Sequence, residues 1–139
     1  LMHMKGTPRD MQRSPSYVDL IGEITEYLSL SVEAALEAGI DRERIIIDPG
    51  IGFGKTKEHN LEILKKLSCF KVLSRPIMVG VSRKSFLGEI TGKTSGERIF
   101  GTAAAVTAAI LNGADIVRVH DVAEIRDAAL VADAIKGAG

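Results

Sequence analysis

The stretch IIIDPGIGFGKT, residues 45–56, decides how the chain folds because a short apolar run ends there in a polar, glycine-rich turn. The three isoleucines are β-branched and favour a strand, and the Asp-Pro-Gly that follows favours a turn. The run lacks the alternation of a half-exposed strand, which is typical of strands covered on both faces in a parallel sheet. Three other runs have the same form: residues 1–4, 76–81 and 114–119.

Helical periodicity fills the gaps between these four runs. Apolar residues three or four positions apart predict helices over residues 17–38, 59–67, 96–112 and 122–135. Ser16 and Asp121 are expected to cap the first and last helices, and Glu124 holds the capping-box position of the last. The order β-α-β-α-β-α-β-α predicts parallel strands with helices outside them. The residues expected to face inward from the second helix are Leu61, Ile63 and Leu64.

Two architectures agree with this order, an open doubly wound sheet and a (β/α)8 barrel. A complete barrel needs about 250 residues and eight βα units, and this chain of 139 residues holds four. The first residue is Leu1, and residues 1–4 already have the composition of a strand. We therefore predict an α/β fold in which residues 1–139 form one domain, the C-terminal four βα units of a (β/α)8 TIM barrel. A four-stranded open sheet remains the alternative.

The composition narrows the classes of partner. The chain has 18 basic and 18 acidic side chains and a formal net charge of zero, whereas nucleic acids and anionic membranes favour basic surfaces. Residues 103–111 form the longest apolar run, far short of the roughly 20 residues that cross a bilayer. The single cysteine, Cys69, excludes a disulfide within the chain and favours a reducing, cytoplasmic setting. We interpret Cys69 as a small apolar filler.

The glycines of residues 50–54 resemble two phosphate-binding motifs and match neither. A P-loop, G-x-x-x-x-G-K-[ST], would need glycine where Pro49 stands, and a G-x-G-x-x-G fingerprint would need glycine where Lys55 stands. Proline also lacks the backbone N–H that such a loop turns towards phosphate. Lys55 and Thr56, which complete the likeness to a P-loop, therefore receive no predicted role.

Asp48 is the candidate functional residue of this stretch. It follows three apolar residues, so its carboxylate would emerge from a strand end into a recessed site. There it can accept two parallel hydrogen bonds from a flat ring that bears adjacent N–H donors. The alternative is that Asp48 only caps the turn before Pro49.

Charged side chains also follow the other three runs, at ends that meet on one rim of a parallel sheet. Arg118 and His120 are two positions apart, so both side chains leave the same face of a strand, beside the helix that begins near Asp121. A cationic pair at a helix N-terminus is suited to an oxyanion. Arg83 and Lys84 would point to opposite sides, one towards a ligand and one bracing the wall. The histidines interpreted as structural, exposed or capping are His3 and His59.

Four motifs of the chain stand in the order and at the spacing of one known family. They are residues 1–8 with Met11 and Gln12, residues 48–55 with His59 and Asn60, residues 79–85, and residues 118–122. Together they resemble dihydropteroate synthase, and the resemblance covers essentially the whole chain. It implies units five to eight of a (β/α)8 barrel and a transferase of folate biosynthesis, the target of sulfonamides. The implied reaction joins 7,8-dihydropterin-6-ylmethyl diphosphate to 4-aminobenzoate and releases dihydropteroate and pyrophosphate.

The resemblance also implies roles for the matching residues. Asp48 would hold the pyrimidine edge of the pterin, Lys84 would lie between pterin and aminobenzoate, and Ser85 would receive the aminobenzoate carboxylate. Arg118 and His120 would bind pyrophosphate, so the implied catalytic set is Lys84, Asp48, Arg118 and His120. The implied substrate-binding positions are Met2 and Phe53 as pocket walls, with Asp48, Gly80, Ser82, Arg83, Lys84, Ser85, Arg118, Val119 and His120.

The resemblance further implies Mg²⁺ to neutralise the leaving pyrophosphate, with its protein ligand in the first half of the barrel and none among these residues. It implies a homodimer through the late helices and, without the first half of the pocket, little or no activity of this chain alone. Two alternatives remain: a pterin-binding barrel that transfers methyl groups from a folate, and a non-catalytic half-barrel that associates with itself. Arg118 and His120 favour the synthase, because a methyltransferase has no pyrophosphate to hold.

Overall fold

The structure is a computed structural model that describes residues 1–7, 9, 11 and 15–138. Pro8 and Gln12, which belong to the first sequence motif, lie outside the described residues. The described helices are α1 (Leu20–Glu37), α2 (Lys57–Lys65), α3 (Ser85–Thr91), α4 (Ile99–Leu111) and α5 (Val122–Lys136). Short 3-10 segments occupy Arg42–Arg44, Leu67–Leu73 and Ser95–Glu97, and the strands are β1 (Met78–Val79) and β2 (Ile116–Val117).

The four apolar runs lie side by side in sequence order and in parallel. A bridge joins Met2 to Asp48, a second joins Ile47 to Ile77, and β1 pairs with β2 in the register Met78 to Ile116 and Val79 to Val117. The predicted α/β class with parallel extended segments is therefore confirmed. The regular strands are shorter than the apolar runs, because ladder pairing is confined to two residues in each of the last two runs.

Burial differs between the two faces of this parallel ladder. Ile45 and Ile47 are buried, whereas Ile46 between them is 36 % exposed, and Ile116 on β2 is 37 % exposed. Successive side chains of an extended segment point to opposite faces, so one face packs against the helices and the other stays accessible. The expectation that the runs are covered on both faces is therefore wrong for this chain. The fully buried large side chains include Ile24, Leu28, Ile63, Phe70, Ile77, Phe86 and Ile125.

The helix ends follow local hydrogen bonding, and several differ from the prediction. Asp19, not Ser16, caps α1, since its Oδ1 accepts a 3.0 Å hydrogen bond from the Gly22 N–H. Asp121 occupies the N-cap position of α5, but its carboxylate makes no capping hydrogen bond. It faces Arg83 instead, and a carboxylate engaged by a guanidinium is held away from the helix N–H groups.

The second and third predicted helices also change. The second begins at Lys57, two residues earlier than predicted, and its Leu61 is 42 % exposed, so the inward placement of Leu61 is wrong. The third begins at Ile99, three residues later than predicted, after the 3-10 turn Ser95–Glu97, and α3 lies outside the four predicted helices. Cys69 lies exposed on the 3-10 segment Leu67–Leu73, which corrects its interpretation as an apolar filler. Within the described ranges, no helix is long and apolar enough to cross a membrane.

Candidate active site

The carboxyl ends of the four extended segments meet at one rim of the parallel ladder. The His3 N–H donates to the Asp48 carbonyl at 3.0 Å, and the Arg118 N–H donates to the Val79 carbonyl at 2.9 Å. These bonds place the first segment beside the second and the fourth beside the third. The predicted site residues on different segments therefore share one rim, as the parallel arrangement requires.

Asp48 lies almost fully buried at this rim, at 4 % exposure. Its Oδ1 accepts a 2.7 Å hydrogen bond from the Gly50 N–H, so the predicted cap of the turn does form. Burial raises the pKa of Asp48, against that hydrogen bond and the positive charges of Arg118, Lys84 and Lys55. No described residue donates to Oδ2. This oxygen therefore stays available to a ligand, while Oδ1 caps the turn.

The glycine-rich turn after Asp48 packs directly against the first segment. Gly50 has φ +73°, and a Cβ built there would lie 1.9 Å from the His3 carbonyl oxygen. Gly54 has φ +65°, and a Cβ there would lie 2.3 Å from the Lys5 carbonyl oxygen. Both positions need glycine for conformation and for space. The glycines thus serve a tight turn around Asp48, not a phosphate cradle.

Lys84 and Phe53 form the wall beside Asp48. The Lys84 Nζ lies 4.2 Å from the centroid of the Phe53 ring, within the range of a cation–π interaction. Burial lowers the pKa of Lys84, the positive charge of Arg118 acts in the same direction, and Asp48 opposes both. Lys84 therefore stands between an aromatic ring, a carboxylate and a second cation.

Arg118 extends across Gly80 towards the same region. A Cβ built at Gly80 would lie 3.1 Å from the Arg118 Nη2, so glycine gives the guanidinium room to lie over the strand end. The Arg118 side chain is exposed, and the ion pairs within the described part of the chain do not include it. Its donors are consequently open to an anionic ligand.

His120 is held by Ser82, a buried residue on the neighbouring segment. The Ser82 Oγ lies 2.9 Å from the His120 Nδ1 and accepts a 3.2 Å hydrogen bond from the His120 N–H. Since the hydroxyl accepts from the backbone, its own proton can be donated to Nδ1. That arrangement leaves the proton of a neutral ring on Nε2, directed away from Ser82 as a donor for a ligand.

Arg83 and Lys84 point to different parts of the molecule. The Arg83 Nε donates to the Asp121 Oδ2 at 3.1 Å, and a second guanidinium nitrogen pairs with Oδ1. The pair raises the pKa of Arg83 and lowers that of Asp121. Arg83 therefore links the third segment to the start of α5, while Lys84 faces Phe53. The remaining predicted residues lie nearby: Met2 and Val119 are half-buried, and Ser85 is exposed at the first position of α3.

Lys55 and Thr56, which had no predicted role, both have defined contacts. Lys55 is 3 % exposed, and its Nζ lies 2.9 Å from the His3 Nδ1 and donates to the Phe53 carbonyl at 3.1 Å. Burial lowers the pKa of Lys55 to about 7, opposed by Asp48, and burial with the charge of Lys55 lowers the pKa of His3 to about 4. The structural interpretation of His3 thus agrees with its burial.

Thr56 caps α2 in a reciprocal box with His59, whose N–H donates to Thr56 Oγ1 at 3.2 Å. The spacing of Thr56 and His59 was the available sequence signal for this cap. The Lys55 contact had no such signal, because its partner His3 is 52 residues away along the chain.

Two other features bear on where a ligand or metal could bind. An apolar cavity of about 420 Å³ opens between α2, α3 and α4, lined by Leu64, Phe86 and Ile90 among others. It lies away from Asp48 and Arg118, so the site described above is an open rim and not this cavity. Across the described positions, no three His, Cys, Asp or Glu side chains stand together in a way that could hold a metal ion.

Comparison with known proteins places the chain among enzymes that bind pterins. The family described as pterin binding enzyme matches residues 1–120. A dihydropteroate synthase of Synechocystis sp. is 48 % identical over 136 residues, which are 97 % of this chain and 47 % of that protein. The chain thus spans about half the length of the relatives that it matches.

Two solved structures show the same likeness. The Yersinia pestis dihydropteroate synthase with a sulfonamide drug complex superposes with a TM-score of 0.97 at 38 % identity, over 99 % of this chain and 50 % of that one. The Thermus thermophilus dihydropteroate synthase in complex with 4-aminobenzoate superposes with a TM-score of 0.90 at 37 % identity, over 99 % and 56 % of the two chains.

Proposed function

The chain belongs to the family of pterin binding enzymes, and on that premise we propose that it is part of a dihydropteroate synthase. The proposed reaction joins 7,8-dihydropterin-6-ylmethyl diphosphate to 4-aminobenzoate, giving dihydropteroate and pyrophosphate for folate biosynthesis. The observation that carries the proposal is the convergence of Asp48, Lys84 and Arg118, three charged groups from three different segments whose charges act on one another.

Asp48 would recognise the pterin. A buried carboxylate with one oxygen open to a ligand is suited to the adjacent N–H donors of a pyrimidine ring. Its negative charge would also stabilise positive charge that develops on the pterin methylene carbon as the diphosphate leaves. Phe53 and the half-buried Met2 would bound the ring on its apolar sides.

Lys84 and Ser85 would receive the second substrate. Lys84 lies over the Phe53 ring, so an aromatic amine placed beside that ring would also contact the lysine. Ser85, the exposed first residue of α3, would donate to the carboxylate of 4-aminobenzoate. An aniline nitrogen is neutral at pH 7, so the nucleophile needs position more than activation by a base.

Arg118 and His120 would hold the leaving group. The aniline nitrogen forms a bond to the methylene carbon, the bond from that carbon to the diphosphate oxygen breaks, and the nitrogen loses a proton to solvent. Negative charge grows on the departing oxygen, and fixed cationic or N–H donors stabilise it most in the transition state. The guanidinium of the exposed Arg118 and the Nε2 of His120, whose Nδ1 contacts Ser82, would supply such donors.

Magnesium, the family's implied metal, would add positive charge at the leaving diphosphate. The described residues of this chain do not fit a magnesium site by themselves, since they offer no cluster of carboxylate or imidazole ligands.

The finer architecture belongs to the same proposal. Residues 1–139 would form one domain, the last four βα units of an eight-stranded barrel, with the accessible side of Ile46 and Ile116 turned towards its interior. We further propose a homodimer through the late helices. Support for it comes from large apolar side chains exposed on α4 and α5, namely Phe100, Leu111, Leu130, Val131 and Ile135. Light scattering of the intact polypeptide would measure the oligomeric state.

The proposed function is tested by calorimetric binding to the intact polypeptide that carries this chain. We expect it to bind the pterin diphosphate and not 5-methyltetrahydrofolate. Arg118→Met should raise the Kd of the pterin diphosphate about thirtyfold, which corresponds to about 2 kcal/mol for a lost charge-assisted contact. The Kd of 6-hydroxymethyl-7,8-dihydropterin, which lacks the diphosphate, should change by less than about threefold, because Arg118 affects this ligand only through its charge near Asp48.

The matched control is Arg126→Met on α5, an exposed arginine away from the rim, which should alter neither affinity. Selective binding of methyltetrahydrofolate would replace the synthase with a methyltransferase. Assays that compare the turnover of this chain alone with that of the intact polypeptide would test our expectation that the chain alone has little or no activity.

A further inference from the structure

We propose that Arg98 is a positioning residue that clamps the backbone of the turn carrying Lys84, and so determines how the site presents Lys84 and Ser85 to the second substrate. The chemical part of this inference rests on the proposed function. The clamp itself rests only on contacts within the chain.

The guanidinium of Arg98 lies against three backbone carbonyl groups. Its Nη1 donates to the Arg83 carbonyl at 2.9 Å and to the Lys84 carbonyl at 3.2 Å. Its Nε donates to the Lys93 carbonyl at 3.0 Å, which ties the same group to the chain beyond α3. Arg98 sits at the N-cap position of α4, so the contacts connect this longer helix to the turn.

The turn needs support, because Arg83 has φ +58°, in the left-handed region that non-glycine residues rarely adopt. Three contacts hold it there in addition to the Arg98 clamp. The Arg83 N–H donates to the Oγ1 of the fully buried Thr102 at 3.2 Å, and the Arg83 side chain pairs with Asp121. The Lys84 N–H closes the turn onto the Val81 carbonyl at 3.3 Å.

The clamp acts at the point where the turn becomes a helix. Lys84 is the N-cap residue of α3 and supplies no side-chain cap of its own, and its carbonyl accepts both the Leu87 N–H and Arg98. Fixing that carbonyl fixes the start of α3. The Lys84 side chain then extends to Phe53, and Ser85 follows as the first helical residue.

The site of the clamp requires both an arginine and a neighbouring glycine. Arginine offers several donors in one rigid plane, whereas lysine offers a single flexible ammonium that cannot span carbonyls of residues 83, 84 and 93 together. A Cβ built at Gly88 on α3 would lie 2.2 Å from the Arg98 Nη2 and 2.6 Å from its Cζ. The absence of a side chain at Gly88 therefore leaves the space that the guanidinium group occupies.

These features allow two variants that remove the clamp by different routes. Arg98→Lys keeps the positive charge and loses the planar group of donors. Gly88→Ala keeps Arg98 and displaces it, although alanine by itself favours a helix over glycine. An effect on stability alone should thus be smaller in Gly88→Ala, where helix propensity offsets part of the lost contacts, whereas a positioning effect should be the same in both.

The test uses the intact polypeptide and two readouts. In steady-state kinetics, both variants should raise the KM for 4-aminobenzoate about tenfold, on the scale of a lost hydrogen bond to a charged donor. The Kd of the pterin diphosphate should change by less than about twofold, because Asp48 and Arg118 lie on other segments. Backbone amides of residues 83–87 should exchange with deuterium about tenfold faster in both variants. Arg126→Lys on α5 is the matched control and should change none of these quantities.

The outcomes separate the clamp from the proposed function. If the unmodified protein neither binds the pterin diphosphate nor turns over, the proposed function fails, and amide exchange still decides whether Arg98 holds the turn. Unchanged exchange in Arg98→Lys would overturn the clamp. Faster exchange with an unaltered KM for 4-aminobenzoate would overturn the positioning role. An equal loss of affinity for both substrates would overturn it as well.

Discussion

The two sides of the rim differ in burial, and the difference separates the residues that shape the site from those open to an anion. On the side of the first and second segments, His3, Asp48 and Lys55 are all at most 5 % exposed. On the side of the fourth segment, Arg118 and His120 are exposed. Burial changes the pKa of each of the three buried groups, whereas Arg118 and His120 are accessible to a solvated ligand.

A buried carboxylate is suited to recognising a flat ring by hydrogen bonds, and an exposed cation is suited to binding a diphosphate. Desolvation makes each hydrogen bond of Asp48 stronger and each unmatched one more costly. A diphosphate is strongly hydrated, so binding it through exposed side chains that stay hydrated costs less desolvation. The comparison predicts that substitutions on the buried side change specificity and titration, and that substitution of Arg118 mainly lowers the affinity for an anion.

The largest effect is expected from Asp48→Asn in the intact polypeptide. The amide replaces one acceptor oxygen by an N–H donor, which would face an N–H of the pterin ring without a partner. We expect the Kd of 6-hydroxymethyl-7,8-dihydropterin to rise more than about a hundredfold, or about 2.7 kcal/mol, by calorimetry. The free energy of unfolding should not fall, since the variant removes a buried charge.

Asp41→Asn, at an exposed position before the 3-10 turn Arg42–Arg44, serves as the control and should bind normally. An affinity of Asp48→Asn within threefold of the unmodified protein would show that Asp48 only caps its turn.

A somewhat smaller effect is expected from the buried ammonium of Lys55. Its pKa is about 7 in the folded protein and near 10.5 once unfolded, so the unfolded chain binds more protons between these values. Stability relative to Lys55→Met should therefore rise with pH across that window and be flat below pH 7. Urea unfolding should show that the free energy of unfolding of the unmodified protein, relative to that of Lys55→Met, rises by up to about 2.5 kcal/mol from pH 7 to pH 9.

Lys65→Met, an exposed lysine on α2, is the matched control and should show no such gain. A relative stability of Lys55→Met that stays constant from pH 7 to pH 9 would place the Lys55 amine in contact with water.

The smallest effect is expected at the cap of α2, which supports the turn from outside the rim. Thr56→Ala removes the hydroxyl that accepts the His59 N–H and should lower the free energy of unfolding by about 1 kcal/mol. Urea denaturation measures it, with Ser29→Ala, at a half-buried position within α1, as a control. Affinity for the pterin should hardly change; a tenfold loss would mean that the cap also positions Asp48.

Local pattern predicted the parts of this structure that depend on neighbours along the chain. The apolar runs and the helical periodicity predicted the α/β order, because each reports how one segment buries its own face. The polar residues at each strand end predicted a common rim, since parallel strands bring equivalent ends together. Asp48 and the pair Arg118 and His120 were predicted as site residues in this way.

Contacts between distant segments could not be predicted from pattern. Nothing near Asp121 along the chain indicates that it pairs with Arg83 instead of capping α5. The same holds for Lys55, which meets His3 across 52 residues, and for Arg98, which reaches back to the carbonyls of Arg83 and Lys84. Each of these side chains has a choice of partners, and only packing decides which partner lies within reach.

The sequence alone therefore determined the class of fold and the rim where chemistry is expected, because hydrophobic period and strand direction are properties of short segments, and its four motifs indicated the family by resemblance. The tertiary structure decided which rim residues are buried and which are exposed, that Lys84 faces Phe53 while Arg83 braces α5, and that Ile46 stays accessible. Burial and the choice of partner depend on every element that surrounds a side chain, so they exist only once those elements are packed.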